Sequence, residues 1–119
     1  MHRPELIMSV GPLTTNYLLR CGYQPDHIAG FSGNTRLLHD MGLFGDDANE
    51  ELSVLTNDFQ VDLSKFHFRK YFPGETGWDH FILTFLKNTR LGRRVMDSYP
   101  PITLDMIEEV MDKKKWVFD

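Results

Sequence analysis

Residues 38–59 read LHDMGLFGDDANEELSVLTNDF, and from Ala48 onward the apolar positions Ala48, Leu52, Leu55 and Phe59 succeed one another at steps of four, three and four. That interval places them on one face of an α-helix. The spacing predicts a helix over 46–59. Gly45, Asp46 and Asp47 mark its start, because carboxylates there can accept from exposed backbone N–H groups and suit the positive end of the helix dipole. Asp47 with Glu50 reads as a capping box. The opposite face carries Asp46, Asn49, Glu50, Ser53 and Asn57, which are costly to bury and should meet water or a partner. Glu51, Val54 and Asp58 lie on the flank.

Outward from this helix the pattern is less regular. In VDLSKFHFRKYF at 61–72, Leu63, Phe66 and Tyr71 can follow a helix while Phe66 and Phe68 can follow a strand, and a short helix is preferred. Pro73-Gly74 and Gly77 make a turn. Trp78, Phe81, Ile82 and Phe85 then recur at helical intervals and predict a second short helix. Pro100-Pro101 ends any helix before it. Thr103 caps a closing helix over 103–115, with Leu104, Ile107 and Met111 on one face and Lys113, Lys114 and Lys115 at the negative end of its dipole. On the N-terminal side, Leu6, Ile7 and Met8 precede the Gly11-Pro12 break, so a helix breaks or begins near Pro12. Gly22 to Asn34, with three glycines and a proline, reads as a long loop.

The chain has 119 residues and a mass of 13.9 kDa, which suits a single domain. With 41% hydrophobic and 25% charged residues it has enough apolar surface for a core and is too mixed for general disorder. The net charge of −4 gives no global positive field of the kind that draws a protein onto nucleic acid. The charges are segregated: seven carboxylates and no Lys or Arg lie between Asp40 and Asp62, whereas Lys87, Arg90, Arg93 and Arg94 form a basic cluster with no acid among them. Cys21 is the only thiol, so no internal disulfide can form, and a reducing compartment is expected. No run of 18 apolar residues occurs and the first residues do not read as a signal peptide, so the expectation is a cytoplasmic protein without a membrane partner.

No phosphate-loop, dinucleotide or nucleophile-elbow motif is present, and no catalytic residue is assigned. His67 between Phe66 and Phe68, and His80 in Trp-Asp-His-Phe, suit structural hydrogen bonds in aromatic surroundings. His39-Asp40 and the acids after it lack the ligand spacing of a zinc or calcium site, so no metal is expected. Cys21 beside Arg20 has no local histidine partner and reads as a packed or partly buried thiol. Lys87, Arg90, Arg93 and Arg94 can grip phosphates, with Tyr71, Phe72 and Trp78 as stacking platforms, but the acidic balance disfavours nucleic acid and makes core positions the better reading of those aromatics.

The segment from Asp40-Met41-Gly42-Leu43 through the acidic helix to Val61-Asp62-Leu63, together with Thr103 to Ile107, resembles an acyl carrier protein. More closely, Asp40 to Ala48, the run from Val61 to Pro73 and the closing Lys115-Trp116 resemble a family of short uncharacterised bacterial proteins related to the carriers, a domain of unknown function. The resemblance covers about 40–73 and 101–116, and it implies a carrier-like helical bundle. It also implies a partner-recognition surface on the acidic helix, made of Asp46, Asp47, Glu50, Glu51 and Asp58. Carriers attach phosphopantetheine to a serine at the start of this helix, and the matching position here is Gly45, which has no hydroxyl. No prosthetic group is therefore expected. Ser32 lies upstream in the loop, Ser53 inside the helix, and Ser64 lacks the carrier motif.

The resulting expectation is a mainly α, single-domain, acyl-carrier-like bundle over 1–119, with an insertion over 74–99 before the last helix and room for a short strand pair. Leu52, Leu55, Phe59, Leu63, Phe66, Ile107 and Met111 should form its core. Its function is non-enzymatic docking of a protein with a basic surface. The alternatives are a functional carrier modified at another serine, or a phosphate- or nucleic-acid-binding protein acting through Lys87, Arg90, Arg93 and Arg94. A homodimer through the apolar stretch at 81–86 is compatible with the sequence.

Overall fold

The computed structural model describes residues 9–74 and 77–118; Leu6, Ile7 and Met8 and part of the turn at 73–77 lie outside the described residues. Proline at the first helical position starts each of the first two helices, since its missing N–H would be unpaired there in any case. These are α1 (Pro12–Arg20) and α2 (Pro25–Ala29). The 22–34 segment is thus not wholly irregular, because Pro25 nucleates one turn that buries Ile28. Residues 33–37, at its end, are tied by backbone bonds to the start of the last helix and the residues before it: Leu37 donates to Ile102 (2.9 Å), Leu104 to Thr35 (3.0 Å) and Asp105 to Gly33 (3.0 Å).

The acidic helix forms as the periodicity requires, as α3 (Gly45–Phe59), with Ala48, Leu52 and Leu55 buried. Its start differs in detail. Phe44 is the N-cap and no side chain caps it, so Asp46 and Asp47 act through the dipole and the Asp47–Glu50 capping box does not form. At the other end the ammonium of Lys114 donates to the Phe59 carbonyl at 3.0 Å. A lysine expected to serve its own helix thus closes a different one.

The 61–72 segment forms only one helical turn, α4 (Phe68–Tyr71). Upstream, the backbone is engaged by the C-terminal segment: Asp62 N–H donates to Lys114 O and Trp116 N–H to Asp62 O, both at 2.9 Å. This is an isolated parallel bridge, and a second, antiparallel one joins Arg36 to Thr103. Among the described residues no strand forms, so the short strand pair is reduced to these two bridges. The segment before the last helix folds as a helical hairpin, α5 (Trp78–Phe85) and α6 (Arg90–Asp97). The chain closes with α7 (Leu104–Lys113), whose N-cap Thr103 accepts from Met106 N–H. The protein is mainly α-helical.

α1 packs on α7 and on α3. One buried cluster results, running from Val10, Tyr17 and Leu18 through Leu38, Leu52 and Leu55 to Leu83, Ile107, Val110 and Trp116. Each large apolar side chain fully withdrawn from water there contributes roughly 1.5–3 kcal/mol. Leu52, Leu55, Ile107 and Met111 are buried as expected, while Phe59, Leu63 and Phe66 are only partly covered at its margin. Phe66 instead joins an aromatic group with Tyr71 (stacked, 5.5 Å between centroids) and Trp116 (edge-on, 4.6 Å).

Candidate functional site

The start of α3 is where the Asp40–Leu43 turn meets the acidic surface. Gly45 sits there with φ +63°, and the residue is buried. A side chain would be strained at this backbone angle. A Cβ built on Gly45 would meet His80, on α5, at ordinary contact distance, 3.4 Å from its Cε1 and 3.6 Å from its Nδ1. The His80 ring is held edge-on against Phe44 (5.5 Å), and its Nδ1 is buried without a hydrogen-bond partner. Gly42, Phe44, Asp46, Asp47 and His80 together line a shallow depression of about 350 Å³.

The residues at this helix start do not fit a phosphopantetheine ester. Gly45 offers no hydroxyl, its backbone angle favours glycine, His80 lies against it, and Asp46 and Asp47 put two negative charges in the first turn, which disfavours a phosphate there.

The five carboxylates expected to form a docking surface separate into two groups. Asp46, Asp47 and Glu50 are exposed, with Asn49, Ser53 and Asn57 beside them. Glu51 is turned inward instead, accepting from the Tyr23 hydroxyl at 2.8 Å while its own backbone carbonyl accepts from the Tyr17 hydroxyl at 2.6 Å. Burial pushes its carboxyl above the usual carboxylate range, and its Oε1 is buried without a partner. Asp58 is exposed but accepts from Arg20 Nε at 2.8 Å. These two are therefore corrections to the expected surface, one withdrawn by burial and one committed to an ion pair within the chain. The signals lay in Tyr23 and Arg20, whose partners are not near in sequence.

Arg20 thus serves Asp58 rather than its neighbour Cys21. The thiol is half-buried, and burial together with the negative Glu51 pushes it up to about 11, away from the reactive thiolate.

Lys87 and the α6 arginines lie on the other side of the Gly42 turn. The Lys87 ammonium is 3.7 Å from where a Cβ on Gly42 would stand. Lys87 and Arg93 form one wall of a cleft of about 480 Å³, whose other wall includes Arg36 and Asp40. Arg36 Nε and Nη2 bind the Asp40 carboxylate at 2.9 and 3.0 Å, and these bonds hold that carboxyl below its usual range. Arg90, Arg93 and Arg94 are exposed on α6. His39 and Tyr99 tie the hairpin to the body: His39 Nε2 is 3.1 Å from the Tyr99 carbonyl, and the Tyr99 hydroxyl donates to Asp79 at 2.6 Å. Burial and the Asp79 carboxylate raise that phenol to about 12. His67 is exposed.

Among the described residues no three His, Cys, Asp or Glu side chains converge as metal ligands, and no helix is long and apolar enough to cross a membrane. Tyr71 and Phe72 are core residues as expected, but Trp78 is not. It is 75% exposed, which leaves it outside the core to which its spacing assigns it.

No curated protein and no solved structure matches the chain. A family model matches residues 21–119, from the end of α1 through the acidic helix, the hairpin and α7, and by it the chain belongs to the family described as "Protein of unknown function (DUF1493)".

Proposed function

We propose that the protein is a non-enzymatic, acyl-carrier-like docking module that carries no prosthetic arm and binds a basic protein surface through Asp46, Asp47 and Glu50. The observation that carries this reading is Gly45, buried at φ +63° beneath His80 at the position where a carrier places its serine. Three exposed carboxylates in the first two turns of α3 add to it, since they remain free of the internal contacts that engage Glu51 and Asp58. Exposed charge pairs contribute about 0.2–1 kcal/mol each. The acidic face therefore speeds and orients encounter more than it strengthens binding, and complex formation weakens with salt.

Two measurements test this. Incubated with coenzyme A and a permissive phosphopantetheinyl transferase, the protein keeps its unmodified mass; addition of one phosphopantetheine would reject the reading. In affinity capture from native extract, a partner held by wild type is released by salt and lost by a folded Asp46→Lys, Asp47→Lys, Glu50→Lys variant. Capture of the same partner by both forms shows that α3 is only solvated.

A further inference from the structure

The α5–α6 hairpin turns its aromatic residues outward. On α5, Ile82 and Leu83 take the inside, which leaves Trp78 75%, Phe81 46% and Phe85 69% exposed. The three rings form a continuous ridge, with centroids 5.8 Å apart between Trp78 and Phe81 and 5.1 Å between Phe81 and Phe85. Exposed Leu86 and Leu91 carry the apolar surface across to α6. The two helices meet closely, because Gly92 lies so near the Leu86 carbonyl and the Lys87 backbone that a Cβ there would overlap both. α6 packs against α5, so the exposed Arg90, Arg93 and Arg94 belong to the same hairpin as the ridge, Arg93 also lining the cleft with Arg36 and Asp40. The ion pairs among the described residues, Arg20–Asp58 and Arg36–Asp40, do not involve them. Of the hairpin's acids, Asp79 is bonded to Tyr99 and only Asp97, at the far end of α6, shares the exposed surface.

We infer that this hairpin docks the protein on an anionic lipid surface, with Trp78, Phe81 and Phe85 entering the headgroup region and Arg90, Arg93 and Arg94 meeting lipid phosphates. An apolar ridge flanked by basic side chains is the arrangement that holds a protein at a membrane interface without crossing it. The lack of a spanning helix among the described residues bears only on crossing. Ring geometry disfavours nucleic acid as the occupant, because the rings of the ridge meet one another at 86° and 49° rather than standing as separate parallel platforms for bases.

The full chain tests this with vesicles of phosphatidylcholine alone and of phosphatidylcholine with phosphatidylglycerol. Sedimentation with the anionic vesicles only, reversed by salt, is expected. Trp78 should shift its emission to the blue as it leaves water, against a constant background from Trp116, which is 4% exposed already. Replacing Arg90, Arg93 and Arg94 by Gln should weaken binding about fivefold per residue, roughly a hundredfold together. A Trp78→Ser, Phe85→Ser variant should abolish it while keeping its helical circular dichroism, because both side chains are outside the core. The Asp46→Lys, Asp47→Lys, Glu50→Lys variant should bind vesicles at least as well as wild type, which separates this inference from α3 docking. Protein left in the supernatant with anionic vesicles at low salt overturns the inference. So does binding to RNA without binding to vesicles, or a dimer in solution that loses vesicle binding as it forms.

Discussion

The Glu108 carboxylate on α7 accepts from the backbone N–H of Thr14 at 2.8 Å and from the Thr14 hydroxyl at 2.9 Å, so the first turn of α1 is capped by a side chain 94 positions away in the sequence. The N-cap of α1, Gly11, offers no side chain for this purpose. The same Thr14 hydroxyl lies 3.3 Å from the Leu104 carbonyl. One carboxylate thus fixes the register between α1 and α7, the pair around which the core closes. Replacing Glu108 by Ala should cost about 1–3 kcal/mol, the range for losing a cap and leaving a largely buried donor unpaired. Glu108→Gln, which keeps an acceptor but not the charge, should cost less. Urea denaturation of both variants measures this, and equal stability of wild type and Glu108→Ala would refute the role.

Gly11 permits that cap by its lack of a side chain, since a Cβ there would overlap the Glu108 carboxylate. Gly11→Ala should therefore destabilise wild type by about 1 kcal/mol or more and have little effect in the Glu108→Ala background. A double-mutant cycle reads the coupling directly, and additive effects would show that the two residues do not share the contact.

Gly45→Ser places a hydroxyl at the start of α3 but forces a residue with a Cβ to a positive φ, while that Cβ meets His80 only at ordinary contact distance. A loss of about 1–2 kcal/mol is expected from the left-handed conformation. Adding His80→Ala should recover little of it. A thermal melt of the three variants checks this, and an unchanged melting temperature in Gly45→Ser would mean that the helix start rearranges freely.

Gly92→Ala should open the α5–α6 hairpin, because the added carbon would lie 2.5 Å from Lys87 Cα and closer still to the Leu86 carbonyl. Overpacking against backbone typically costs about 1–3 kcal/mol. Hydrogen exchange should quicken across 78–97 while α3 and α7 keep their protection. Uniform quickening over the whole chain would argue that the hairpin is inseparable from the core.

Glu51 gives the protein a specific pH dependence. Its carboxyl is raised above the ordinary 4.5 by burial, so the folded state holds its proton more tightly than the unfolded chain does. The associated stability is present below the unfolded value and is lost as pH rises through the folded one. Glu51→Gln lacks this contribution while its amide oxygen can still accept from Tyr23. The stability of the variant relative to wild type should accordingly rise between pH 4 and pH 7 in urea titrations, and a difference that stays flat across that interval would count against an ionising buried carboxyl.

The helices α3 and α7 could be read from the chain because their information is local: Leu52 and Leu55, or Ile107 and Met111, lie on one face by spacing alone, and Thr103 caps the helix that begins at Leu104. The acidity of α3, the basic cluster of α6 and the missing hydroxyl at 45 were equally matters of composition and position. Spacing names a face without saying which neighbour will cover it. Trp78, Phe81, Ile82 and Phe85 have the periodicity of a buried stripe, yet the body of the protein covers Ile82 and Leu83 and leaves the three aromatic rings in water. Glu51 and Asp58 look like their neighbours Glu50 and Asp47 until Tyr23 and Arg20 arrive from the N-terminal half and remove them from the free surface. The cap from Glu108 to Thr14 and the imidazole over Gly45 belong to the same class. Periodicity is set by the chain's own geometry, whereas burial and pairing depend on distant segments brought together by the closing of the core, and only the tertiary structure decides them.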